Sequence, residues 1–213
     1  MKNIFVTGIG TDVGKTIVSA IITEALQADY WKPVQAGFAD GTDTELVRSL
    51  LLNKKSVIHP EAYKLKMPAS PHAAAAAEGI TIQIKDIKLP VTNNTLVIEG
   101  AGGLMVPLNE KELVIDLIEH FRSSAIVVIR HYLGSINHSL LTLQVLKQRK
   151  IPILGLVISG AANEQSEKAI VSFSDRKIIG RIGEEKLFAP EIISGYAKKF
   201  QASLLQSSLA TNK

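Results

Sequence analysis

Six short apolar runs rich in β-branched residues alternate with amphipathic segments along the chain, and this alternation restricts the fold more than any other feature. Residues 4–7, 30–34, 95–99, 125–130, 153–158 and 177–182 read as strands. Residues 15–28, 43–52, 71–79, 113–122, 135–149, 164–172 and 189–205 read as helices. Strands as uniformly apolar as "AIVVI" and "ILGLVI" need cover on both faces, which predicts an α/β fold: a predominantly parallel sheet with helices on each side. The chain has 213 residues, 46% of them hydrophobic, with no Pro/Gly/Ser-rich linker and no internal repeat. One domain over residues 1–213 is therefore expected, with the polar end "QSSLATNK", from about residue 206, fraying.

Several function classes drop out on composition. The absence of cysteine removes disulfides, thiolate zinc sites and thiol catalysis, and it suits a reducing cytoplasm, the expected setting. A formal charge of +4, from 24 basic and 20 acidic residues, suits small anionic ligands. No dense Lys/Arg run marks a nucleic-acid stripe, and no stretch of about 20 apolar residues is available to span a bilayer. Neither nucleic acid nor membrane is expected as a partner.

In an open parallel sheet, ligands bind beyond the carboxyl ends of the strands, so functional residues should follow strands. The first such place is "IFVTGIGTDVGKT", an apolar strand, a glycine-rich turn and the start of an apolar helix. A strict P-loop, G-x-x-x-x-G-K-[ST], would need glycine at position 9, where Ile9 stands between Gly8 and Gly10. A dinucleotide loop, G-x-G-x-x-G, would need glycine in place of Val13 and an acidic residue after the second strand, which ends in Lys32-Pro33. The context is that of a phosphate cradle of unusual spacing, the alternative being a plain glycine-rich turn ahead of a helix. The helix-start N–H groups and the Lys15 ammonium face an anion, and the Thr16 hydroxyl stands where a phosphate-bridging Mg²⁺ binds.

Two carboxylates follow strands. Glu99 lies where a buried strand enters the loop "EGAGG"; it serves either as a cation ligand or as a cap for that loop. Asp43, in "DGTDTELV", is either a Mg²⁺ ligand or an ordinary helix N-cap. Lys32 ends the second strand. It either reaches solvent along its aliphatic stem or points into the cleft with Lys15 to neutralise a transferring phosphoryl group. Together these residues make a two-lysine, two-carboxylate set for phosphoryl transfer.

With these motifs in place the chain resembles the dethiobiotin synthetase family. Residues 8–16, "GIGTDVGKT", match that family's loop G-x-x-T-x-V-G-K-T, extra residue included. "YWKPVQAG" is similar to its K-P-V-x-[ST]-G segment, "ASPHAAA" to its S-P-H helix start, "EGAGGLMVPL" to E-G-A-G-G-hh-x-P-L and "LGSINH" to L-G-x-I-N-H. The resemblance implies a P-loop NTPase-like fold and an ATP-dependent ligase that uses Mg²⁺. Its substrates are 7,8-diaminopelargonate and CO₂ or bicarbonate, and it is a homodimer with the substrate site at the subunit interface. By matching position, Lys32 stabilises a carbamate and its transferring phosphoryl group. Thr11 and Lys15 hold the β- and γ-phosphates, and Thr16, Asp43 and Glu99 hold Mg²⁺. The other nucleotide contacts implied are Asp12, Val13, Gly14, Ile17, Gly100, Ala101, Gly102, Ser159 and Gly183. Substrate contacts implied, besides Lys32, are Ala36, Gly102, Gly103, Ser135 and Asn137. The last two open a helix whose N–H groups suit a carboxylate, although Ser135 is equally suited to be its N-cap. His72 and His138 read as structural.

Three positions depart from the family pattern. Ala36 stands where a hydroxyl residue is usual, Ser159 where an asparagine reads the base, and Gly183 where a proline flanks it. A serine hydroxyl offers one donor where an amide offers two, which predicts relaxed discrimination among nucleotide bases. The rival readings are a ParA/MinD-like ATPase switch, a cobyrinate-type ligase and an inactive nucleotide-binding module. The first lacks its signature lysine, since position 10 is Gly10, and the second lacks room for a glutaminase domain.

Overall fold

The computed structural model describes residues 3–210, and side chains through residue 206. The chain runs β1 (Asn3–Gly8), α1 (Lys15–Leu26), β2 (Asp29–Trp31), β3 (Val34–Ala36), α2 (Asp43–Leu50), β4 (Ile58–His59), β5 (Tyr63–Leu65) and α3 (Pro71–Ala77). A 3₁₀ turn at Ile84–Asp86 precedes β6 (Leu96–Gly103), α4 (Val114–His120), β7 (Ser124–Arg130), α5 (Ser135–Gln148), β8 (Ile153–Ser159), α6 (Glu164–Ser174), β9 (Ile178–Ile182) and α7 (Pro190–Ala210). Seven strands form one sheet in the order β4-β2-β6-β1-β7-β8-β9, every pairing parallel. β1, β6, β7 and β8 are buried along most of their lengths because helices cover both faces. α1 packs against α2 and α7, and α5 against α6. Each apolar side chain so enclosed contributes about 1.5–3 kcal/mol relative to its exposed state. No helix among the described residues is long and apolar enough to cross a membrane.

The strand expected at 30–34 is two strands. β2 pairs in the main sheet with β4 and β6, whereas β3 pairs with β5 in a separate two-stranded parallel ribbon. The break falls at Lys32-Pro33, because proline has no N–H to give the ladder. Its carbonyl instead accepts from the N–H groups of Ala62 and Tyr63. β4 and β5, two and three residues long, are too short to show a period in sequence. The strand expected at 95–99 continues to Gly103, which puts Glu99 inside β6 rather than at its end. At the carboxyl end of the chain α7 extends to Ala210, and residues 211–213, part of the end expected to fray, lie outside the described residues.

Candidate active site

β1, β2 and β6 end together at the carboxyl edge of the sheet, and α1 begins there. Gly14 is the N-cap of α1 with φ 94°, and a β-carbon on it would stand 2.6 Å from Ser159 Oγ. The turn into the helix therefore needs glycine for two reasons, a left-handed backbone and contact with the end of β8. Asp12 is also left-handed, with φ 56°, a region that aspartate tolerates better than most residues. Val13 is buried in the core, so only its backbone is free to face a ligand.

Beyond this loop lies a cleft of about 530 Å³. Thr11, Asp12, Gly14, Lys15, Thr16, Ile17, Lys32, Ala36, Asp43, Glu99 and Ala101 all border it, so most of the residues expected at the phosphate and metal sites are brought together. Thr16 Oγ1 lies 2.9 Å from Asp43 Oδ1 and 2.9 Å from Glu99 Oε1. Lys32 Nζ donates to Glu99 Oε1 at 2.9 Å and is ion-paired with Asp43 Oδ2. Lys15 Nζ folds back to donate to the Gly10 carbonyl at 2.8 Å.

Burial decides between the alternatives left open by the sequence. Lys32 does not reach solvent, since its side chain is 6% exposed and its charge is met by Glu99, 1% exposed, and by Asp43. Asp43 is not the N-cap of α2. That position is Thr42, in a reciprocal capping box with Glu45, so Asp43 is spared for the cleft. Glu99 makes no cap either, because both of its oxygens accept from side chains.

The electrostatics follow from this packing. Burial alone would lower the Lys32 pKa, but the neighbouring Glu99 and Asp43 carboxylates outweigh it and raise it above the ordinary lysine value. Asp43 shifts down: burial opposes this, and the Lys32 ammonium with the Thr16 hydroxyl overrides it. Burial pulls the Lys15 pKa down; the Glu99 charge opposes this without overcoming it, and Lys32 adds to the lowering. An anion laid in the loop would restore what Lys15 lost to desolvation.

Two contributors were not legible as site residues. The Tyr30 hydroxyl donates to Glu99 Oε2 at 2.9 Å, wholly buried. Its signal was its place two residues before Lys32, which puts both side chains on one face of the strand. Gln35 accepts from the Asp43 N–H at 3.2 Å and donates to the Gly37 carbonyl at 2.8 Å, bracing the approach to α2. No pattern in the sequence announces that contact.

The remaining expected residues sit elsewhere. Gly100 faces inward, where a β-carbon would meet the Phe5 ring at 2.8 Å, and does not border the cleft. Gly103 borders a second cavity of about 380 Å³ with Gly10, Thr11, Met105, Val106 and His138, so Thr11 faces both cavities; Gly102 lies beside Val106 and Thr11. Ser159 packs on Gly14, and the Gly183 N–H donates to the Tyr196 hydroxyl at 3.0 Å; neither residue borders the phosphate-loop cleft. Gly134 rather than Ser135 is the N-cap of α5; Ser135 is buried, and Asn137 is exposed one turn into the helix. His138 Nδ1 lies 2.7 Å from the Tyr132 hydroxyl, while the His72 N–H donates to the Pro107 carbonyl.

Comparison with known proteins fits this geometry. A family model described as an AAA domain matches residues 2–191. The ATP-dependent dethiobiotin synthetase of Christiangramia forsetii is 52% identical over 205 residues, covering 96% of this chain and 99% of its own. That of Cytophaga hutchinsonii is 52% identical over 200 residues, covering 93% and 97%. The chain belongs to the dethiobiotin synthetase family. The cell division ATPase MinD of Pyrococcus furiosus superposes with a TM-score of 0.58 over 95% of this chain and 99% of its own, at 12% identity. That likeness is one of fold alone.

Proposed function

We infer that the chain is an ATP-dependent dethiobiotin synthetase of biotin biosynthesis, a ligase that closes a ureido ring. The observation that carries this reading is the meeting of Lys32 with Glu99 and Asp43 at the mouth of the Gly14-Lys15-Thr16 loop. In the reaction we propose, one amine of 7,8-diaminopelargonate takes up CO₂ as a carbamate and loses a proton to solvent. A carbamate oxygen attacks the γ-phosphorus of ATP and ADP leaves, giving a carbamic–phosphoric anhydride. The second amine then attacks the carbonyl carbon, phosphate departs with the C–O electrons, and the ring closes as that amine's proton passes to solvent.

The protein's part is position and charge. Lys15 and Thr11 hold the β- and γ-phosphates against the α1 N-terminus, and Lys32 takes the carbamate and the phosphoryl group in flight. Thr16, Asp43 and Glu99 supply hard oxygen ligands to Mg²⁺. The fit is supported by the Thr16 hydroxyl oxygen, which lies 2.9 Å from both Asp43 Oδ1 and Glu99 Oε1. When bound, Mg²⁺ neutralises charge on the phosphates. The remaining nucleotide and substrate contacts, Gly102, Gly103, Ser135 and Asn137 included, are those the family motifs imply. We place the enzyme in the cytoplasm as a homodimer. Met105, Leu133, Ile136 and Leu141, exposed near the second cavity and the start of α5, support a partner subunit there.

Protein mixed with Mg-ATP, bicarbonate and 7,8-diaminopelargonate should release phosphate only when the diamine is present. Hydrolysis indifferent to the diamine would favour a switch ATPase, and silence with every nucleotide an inactive module. Replacing ATP by GTP or CTP should retain substantial ring closure, since Ser159 and Gly183 replace the usual base-reading residues. Strict dependence on ATP would reject that part.

A further inference from the structure

The Glu99 carboxylate has two differently employed oxygens. Oε1 accepts from Thr16 Oγ1 and Lys32 Nζ, each at 2.9 Å, on the side of the cleft. Oε2 accepts from the Tyr30 hydroxyl at 2.9 Å on the buried side. Tyr30 itself does not border the cleft, and Glu99 Oε2 is the partner its hydroxyl has among the described residues. The arrangement follows from register: Tyr30 of β2 pairs with Val97 of β6, and Glu99, two residues on, shares that face. A tyrosine spans such a diagonal with its long ring.

We propose that Tyr30 is a positioning residue that ties down one oxygen of Glu99 and so restricts it to single-oxygen coordination, selecting Mg²⁺ over Ca²⁺. The inference rests on the reading of Glu99 as a cation ligand. Mg²⁺ demands a tight octahedron, whereas Ca²⁺ accepts six to eight oxygens and commonly takes both oxygens of one carboxylate. Turning Glu99 to offer both would strip the buried phenol of its acceptor, leaving a desolvated donor unpaired. The phenol thus acts against the larger cation by holding Oε2 back.

Tyr30→Phe deletes only the hydroxyl and keeps the ring. Binding of Mg²⁺ and of Ca²⁺, each with a non-hydrolysable ATP analogue, would be measured by calorimetry for wild type, Tyr30→Phe and Glu99→Gln. The expected result is a roughly tenfold fall in the Mg²⁺:Ca²⁺ affinity ratio for Tyr30→Phe, within the range found when partners of metal ligands are removed. Cation-free affinity for the analogue should be unchanged. An unchanged ratio, with cation binding lost in Glu99→Gln, overturns the role of Tyr30 alone. Cation binding indifferent to Glu99→Gln overturns the reading of the site and this inference with it. If Tyr30→Phe does not fold, infrared spectra of the wild-type protein decide. With Mg²⁺ the Glu99 carboxylate bands, identified by their loss in Glu99→Gln, should show the wide splitting of one-oxygen coordination. The narrow splitting of two-oxygen coordination overturns the proposal.

Discussion

Lys32 is enclosed between Glu99 and Asp43, and the three charges depend on one another because water is nearly absent around two of them. Removing one member of a buried ion pair leaves its partner desolvated, at a cost of about 3–5 kcal/mol. Lys32→Ala should therefore lose stability of that order in denaturant unfolding at pH 7. It should keep its affinity for nucleotide while ring closure falls by about a hundredfold or more. A variant that unfolds at the wild-type midpoint would show that the triad is not a buried pair in solution, and retained turnover would reject the assigned role. The pH dependence has a definite sign. The Asp43 pKa is depressed in the folded state, so its stabilising share is present above the usual carboxylate range and lost as pH falls through the folded value. The raised Lys32 pKa keeps its share intact until pH rises through the folded lysine value. The stability gap between wild type and Lys32→Ala should accordingly narrow below about pH 4.

At the level of elements, the phosphate loop is fixed by how α1 is entered. α1 starts on a left-handed Gly14 pressed against Ser159 at the end of β8, so loop and sheet edge are shaped by one contact. Gly14→Ala should cost about 1–2 kcal/mol in backbone strain alone, with a further loss from overlap with Ser159, and nucleotide affinity should fall in parallel. Adding Ser159→Gly should recover the overlap share and leave the strain. Calorimetric nucleotide binding and thermal unfolding of the single and double variants measure both shares. Equal behaviour of Gly14→Ala and wild type would mean that the loop does not need this conformation. Ser159 in this light has a packing role, and an asparagine there would have to clear the same glycine.

Considered whole, the molecule leaves several large apolar side chains exposed, some of them beside the second cavity and the start of α5. Met105 and Leu141, which border the cavity that Thr11 and Gly103 share with α5, are more than half exposed, and Leu133, just before α5, is fully exposed. Burying such a patch is the expected contribution of a second subunit. The protein should sediment with the mass of two chains. Leu141→Asp should shift it toward one chain and raise the KM for the diamine while sparing nucleotide binding. A variant that stays dimeric with an unaltered KM would reject this face as the interface.

The sequence by itself determined every strand of the main sheet but β4, the phosphate loop and the family. Apolar runs, the glycine-rich turn and Gly14-Lys15-Thr16 act through local backbone preference and periodicity, which neighbouring residues suffice to express. The five motifs from the loop to "LGSINH" also carried the family. What only the tertiary structure decided were the choices that depend on burial. Asp43 could have been a cap until Thr42 took that place, and Lys32 could have reached water until β6 brought Glu99 beside it. Tyr30 and Gln35 became site residues only through partners 69 and 8 positions away. The division of the second strand at Pro33 was written in the sequence as a missing N–H, but its effect, the placing of Lys32 between two carboxylates, required β3 to leave the main sheet for β5. Periodicity reports which face of an element is apolar. It does not report which charged groups will share a space that water has left, because that is settled by strands brought together from distant parts of the chain.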